Sequence, residues 1–180
     1  HRLEDLDVEL DIADFRIFDH VTDVYENGLI KAIYANTKPK YLINTWIYHL
    51  IVCVLLKDKG SLQSVLLCKD AAWEFTPVSS ALDILKSLLN IYWAGMSAPL
   101  HFFPASSFEY ACKMLQKNRT QPDTLKAAQR KWSGSDFSRG ESEDPYFERC
   151  FGKNDPLDKN FEEISMKIFS PLLNHCNEMP

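Results

Sequence analysis

From Tyr41 to Leu56 the apolar residues Leu42, Ile43, Trp46, Ile47, Leu50, Ile51, Val54 and Leu55 recur at three- and four-residue steps, the period of an amphipathic helix laid on a sheet. Upstream the period is shorter. Leu6 to Ile12 reads as a short strand, and "FRIFDHVTDVY" (Phe15 to Tyr25) reads as a second, joined across Glu26-Asn27-Gly28 to a third in "GLIKAIYANTKPKY", so that the last two form a hairpin. Leu29, Ile30, Ala32, Ile33 and Tyr34 put apolar residues on both faces, which predicts a strand central in a mixed sheet with the Trp46 helix across it.

"SVLLC" (Ser64 to Cys68) reads as a buried strand after a Lys59-Gly60 turn, and a helix from about Ala81 to Ala94 follows, with Ser79 and Ser80 as caps. "APLHFFPASS" reads as a loop. Helices are expected near Ala105 to Lys117 and Pro122 to Trp132, then the polar loop "SGSDFSRGESEDP", then a last helix from about Leu157 to His175. The sum is one α/β domain over 1–180, with a core over about 6–100 and a helical part over about 101–175.

A chain of 180 residues, 46% hydrophobic and 12% aromatic, can bury one sizeable core. It opens on "HRLEDL", without a signal segment or a run of apolar residues long enough to span a membrane, and so reads as a soluble piece of something longer. Its five cysteines are widely spaced and form no C-x-x-C pair, which argues against a disulfide framework or zinc site and for a reducing cytoplasm.

The net charge of −5 is unevenly spread. Nine acids from Glu4 to Glu26 face only Arg16, whereas Lys113, Lys117, Arg119, Lys126, Arg130, Lys131 and Arg139 face only Asp123 and Asp136. A basic segment of this kind suits nucleic acid or an acidic protein surface, although charge runs are more often solvated faces.

A hairpin followed by a helix is where many metal-dependent nucleases keep their chemistry. There an acid ends the first strand and an acid-x-Lys pair lies on the second, because residues i and i+2 share a face; the carboxylates hold Mg²⁺ and the lysine sits beside the attacking water or the phosphate. Here those two positions are Ile33 and Ala35, and no lysine in the chain has Asp or Glu two residues before it. Asp19 and Asp23, with Thr22 beside them, lie in an acid-rich strand and read as solvent-facing rather than as metal ligands.

The histidines are scattered, and His49 fits equally a hydrogen-bonded core residue. With six glycines and no G-x-S-x-G, phosphate loop or H-E-x-x-H, other catalytic constellations are missing too. Function then rests on surfaces. Lys126 and Arg130 share one helix face, beside Lys131, with Leu125, Ala128 and Trp132 on the adjacent apolar face; Trp132 is expected in the core rather than stacked on a base. Arg139 is a loop contact candidate whose alternative is an ion pair with Glu141 or Glu143, and "HFFP" is expected tucked over the core.

"GLIKAIYANTKPKYLINTWIYHL" with its W-x-x-H-L, then "APLHFFPASSFEYA", then "KWSGSDFSRGESEDPYFERCFG" with its R-G-E-x-x-D-P-Y together resemble the C-terminal domain of the RecC family, the gamma chains of exodeoxyribonuclease V, from about Leu6 to Leu173. The resemblance implies a restriction-endonuclease-like core, a degenerate PD-(D/E)XK fold with a small mixed central sheet flanked by helices, plus a helical C-terminal part. It implies a non-catalytic DNA-handling and subunit-contact domain, in which Thr22, or less readily Asp23, stands at the first acid position and Ile33 and Ala35 replace the acid-x-Lys pair. Implied partners are the alpha and beta chains of a RecBCD-type helicase-nuclease and DNA, as a duplex end or separated strands, in double-strand break repair by recombination. No cofactor is implied for the domain itself, Mg²⁺ and ATP being used by the other subunits. The alternative is a residual metal-dependent nuclease built on Asp19 and Asp23.

Overall fold

The computed structural model describes residues 1–57, 60–116, 121–152 and 154–180, which divide into two compact units: His1–Asn90 with Leu172–Pro180, and Ile91–Pro171.

In the first unit, alternation of acids with Leu6, Val8, Leu10 and Ile12 makes β1 (Leu6–Ile12), which turns at Ala13-Asp14 into β2 (Phe15–Val21). Ala13 adopts φ 53°, the left-handed conformation that two-residue hairpin turns demand. The register runs from Leu6 opposite Val21 to Ile12 opposite Phe15, and Val8, Ile12 and Val21 are buried. This corrects the expected pairing: β2 pairs with β1, not with the Gly28 strand. The chain breaks at Asp23, whose φ of 60° no strand residue can hold, and only β3 (Val24–Tyr25) pairs with β4 (Gly28–Ala32).

α1 (Pro39–Leu55) connects β4 to β5 (Ser64–Leu67), which run parallel, and packs against both. It begins at the extended Lys38 followed by Pro39 at its first turn, a position where a missing N–H costs nothing. Leu42, Thr45, Trp46, His49, Leu50 and Cys53 form its buried stripe. β6 (Ala72–Phe75) and β7 (Cys176–Glu178), neither anticipated from the pattern, complete a mixed sheet of order β3-β4-β5-β6-β7. β4 is thus internal, as its composition predicts. Its burial is one-sided, however: Leu29 is fully buried while Ile30 is 39% exposed. Neighbours on a strand face opposite ways, and at β4 one of those faces reaches solvent. The turn expected at Lys59-Gly60 lies partly outside the described residues; Gly60 itself has φ 92°.

α2 (Ala81–Ser97) begins where its sequence predicts, and the carbonyl of Ser80 accepts the N–H of Ile84. In the second unit α3 (Pro104–Leu115) packs against α4 (Gln121–Ser133); Lys117, the expected end of α3, lies outside the described residues. α3 begins inside the segment expected as loop, because Pro104 opens its first turn. A single 3-10 turn at Glu141–Glu143 leads into α5 (Pro145–Phe151) and α6 (Lys159–Asn174). α5 falls in a stretch whose pattern predicts no helix; it is started by the Asp144 carboxylate, which accepts the Tyr146 N–H at 2.9 Å, and by Pro145 behind it. Leu157, the expected start of the last helix, precedes α6 and is buried.

Phe103 is the hub of this unit. It is fully buried, with ring centroids at 4.4 Å from Trp132, 5.0 Å from Phe147 and 5.2 Å from Phe151. "HFFP" therefore does tuck over the core, and Trp132 packs there as expected, 6% exposed. Among the described residues, no helix is long and apolar enough to cross a membrane.

Candidate nucleic-acid interface

The nuclease-like positions form no metal-binding constellation among the described residues. Ile33 and Ala35 lie just past β4, where their backbones continue the sheet: the Ile33 N–H donates to Leu67 and the Ala35 carbonyl accepts from Lys69. Thr22 donates to the Asp23 carboxylate at 3.3 Å, and the other Asp23 oxygen lies 3.4 Å from the Arg2 guanidinium. Asp19 accepts the Tyr48 hydroxyl at 3.1 Å and its neighbour's N–H at 2.7 Å. The Lys31 ammonium sits over the Tyr48 ring, 4.5 Å from its centroid, which places one lysine on this face as a cation–π partner.

His49 resolves as a core residue. Fully buried, it places Nδ1 2.8 Å from the Ser64 hydroxyl and Nε2 3.0 Å from the Thr76 carbonyl. Burial pushes its pKa down to about 4, so the ring is neutral.

The basic segment is assembled on α4. Thr124, Ala128 and Trp132, four residues apart, turn into the core, and Leu125 packs beside them, which leaves Lys126, Arg130 and Lys131 exposed on the rest of the cylinder. None of these three forms an ion pair among the described residues. Lys113 of α3, which pairs with Glu109 at 3.7 Å, borders the same side. A groove of about 300 Å³ runs between Lys113, Lys126 and Arg130, with Asp123 and Thr124 in its wall. A second, of about 440 Å³, takes in Lys113 with its partner Glu109, and Arg130, Lys131, Ser135 and Ser138. Lys126 and Arg130, four residues apart, border one groove, and Arg130 and Lys131 border the other. Lys117 and Arg119 lie outside the described residues.

Arg139 is differently placed: its Nε donates to Glu143 at 3.1 Å, the local ion pair anticipated as its alternative role. Glu141 instead caps α3, accepting the N–H groups of Ala105 and Ser106 at 2.8 Å each and the Ser106 hydroxyl at 2.7 Å. Two features are not legible in the sequence pattern. One is the participation of Lys113 in the α4 grooves, which depends on how two helices pack. The other is Phe137, 99% exposed at the tip of the loop after α4, whose signal in the sequence is no more than an aromatic residue set among serines, Asp136 and Arg139.

The chain is a mixed α/β protein with a strand–helix–strand unit and a basic, exposed face on α4. Residues 1–115 match the model of the RecC C-terminal domain, and the chain belongs to that family. It is 27% identical over 164 residues to the RecBCD enzyme subunit RecC of Escherichia coli (strain K12), an alignment covering 85% of this chain and 14% of that protein. The chain thus spans a small fraction of the length of the relative it matches.

Proposed function

We propose that the chain is a non-catalytic DNA-handling and subunit-contact domain, the C-terminal domain of a larger subunit, working in a RecBCD-type helicase-nuclease during double-strand break repair by homologous recombination. The observation that carries this reading is the exposure of Lys126, Arg130 and Lys131 on α4, which have no acidic ion-pair partner among the described residues and border two grooves shared with Lys113. Three clustered cations placed in this way suit phosphate oxygens, whose binding depends on summed positive charge and on counterion release. The core is read as a degenerate restriction-endonuclease-like fold: the β3–β4 hairpin followed by α1 and the parallel β5 supplies the framework, while Ile33 and Ala35 occupy the catalytic positions. The other partners on this reading are the alpha and beta chains of the complex, which supply its Mg²⁺ and ATP chemistry.

The test is a salt titration of DNA affinity by fluorescence anisotropy, comparing the chain with its Lys126→Glu/Arg130→Glu/Lys131→Glu variant. Weaker binding with a shallower salt dependence supports the reading. Unchanged affinity with an unchanged slope removes it. Loss of assembly with the other subunits, at unchanged DNA affinity, assigns the face to a protein contact instead.

A further inference from the structure

Phe137 is the most exposed large apolar side chain among the described residues, yet the turn that carries it is closely held. Ser135 and Ser138 exchange both backbone hydrogen bonds, at 2.8 and 3.1 Å, and their hydroxyls meet at 2.9 Å, leaving Asp136 and Phe137 at the tip. The neck below is tight. Gly134 has φ 74°, and a Cβ there would lie 2.4 Å from the Gly140 nitrogen; a Cβ on Gly140 would lie 2.3 Å from the Trp132 carbonyl oxygen. Just beyond, Glu143 accepts the Gly140 N–H at 3.1 Å and pairs with Arg139, and Glu141 is tied to the start of α3. A phenylalanine gains free energy by burial in a core, which this fold forgoes. The turn instead presents a flat apolar ring from a closely held stretch of backbone. Ser135 and Ser138, at its base, also line the groove that holds Lys113, Arg130 and Lys131.

We propose that Phe137 is a stacking platform for an unpaired base, and that the nucleic acid on this surface is a single strand whose phosphates follow the Lys113–Arg130–Lys131 groove. The proposal rests on the DNA-binding reading of α4 and specifies its substrate. A duplex hides the faces of its bases, so a lone exposed ring beside a cationic groove gains from a base only when that base is unpaired. Asp136, exposed next to Phe137, repels phosphate at the tip and favours a base over backbone there. Phenylalanine has no hydrogen-bonding group, so the contact reads no sequence.

The experiment measures affinity of the full chain for a labelled oligodeoxythymidylate, for a duplex of the same length, and for the same strand with abasic residues. Phe137→Ala is expected to lower single-strand affinity by about 5- to 150-fold, from a stacking contribution of about 1–3 kcal/mol per base, while duplex affinity, salt slope and melting temperature stay as they were. Phe137→Trp restores binding, the deficit vanishes on the abasic strand, and a 2-aminopurine in the strand is quenched by the parent chain but not by Phe137→Ala. Unchanged single-strand affinity in Phe137→Ala, with Lys126→Glu/Arg130→Glu still weakening DNA binding, overturns the platform and leaves the α4 reading standing. If the charge variant is also without effect, the α4 reading itself falls. Loss of subunit assembly alone in Phe137→Ala overturns the proposal and makes the ring a protein contact.

Discussion

The Ser64 hydroxyl lies 2.8 Å from Nδ1 of His49, and through it β5 is tied to α1. The Thr76 carbonyl, 3.0 Å from Nε2, can only accept, so the neutral ring carries its hydrogen there and Nδ1 accepts the Ser64 proton, while Ser64 accepts the Leu29 N–H of β4 at 3.1 Å. This relay satisfies every group only while the imidazole is neutral.

Its pH dependence follows in sign. With the folded pKa at about 4 against an ordinary 6.5, the unfolded chain binds the proton first as pH falls, so stability rises with pH across that interval and is fully present above it. The shift corresponds to roughly 2–4 kcal/mol between the two ends. Denaturant midpoints measured across that pH range should show the loss, and His49→Gln should flatten the curve at the cost of lower stability at neutral pH.

The exposed bases of α4 are separable from folding. Lys126→Glu, Arg130→Glu and Lys131→Glu should each change stability by no more than about 0.5 kcal/mol, while the salt slope of DNA binding falls by about 1 for each phosphate that is no longer neutralised. Arg139→Ala should weaken binding less, since that side chain is engaged with Glu143. Chemical denaturation alongside the salt titration checks both halves.

The neck of the Phe137 turn should not accept a side chain. Gly140→Ala sets a methyl 2.3 Å from the Trp132 carbonyl oxygen and is expected to destabilise the chain by about 1–3 kcal/mol, read as a lower melting temperature.

Titration with Mn²⁺ should give no saturable isotherm attributable to Asp19 and Asp23, because the first holds Tyr48 and the second faces Arg2. Incubation with linear DNA and Mg²⁺ or Mn²⁺ should leave the DNA intact; cleavage abolished by Asp23→Asn would establish the residual-nuclease alternative.

Thiol labelling should follow accessibility and thiolate formation. Cys150, exposed on α5, reacts first. Cys53 and Cys112 react last: burial raises both thiols, that of Cys112 to about 11 with Glu109 adding to the effect. Mass spectrometry of a timed alkylation gives the order.

Strong periodicity was enough to place several local elements. α1, α2 and α4 fall where their three- and four-residue spacing puts them, β1 and β5 where the short strands were read, and the empty acid-x-Lys positions needed no coordinates. Lys126 and Arg130 could be placed on one face because a four-residue step on a single helix brings side chains together.

Strand pairing, by contrast, is set by contacts between parts of the chain that no local pattern relates. Phe15–Val21 and Val24–Tyr25 read as one run, but a left-handed Asp23 separates them and sends each to a different partner, and nothing in the alternation of side chains encodes that φ. β7 is three residues long and exists because β6 offers it an edge; its pairing of Cys176 with Phe75 joins parts of the chain remote in sequence. The exposure of Phe137 was likewise out of reach. An aromatic residue ordinarily gains free energy by burial, and this one stands at the tip of a turn closed by Ser135 and Ser138 above the close approach of Gly134 and Gly140.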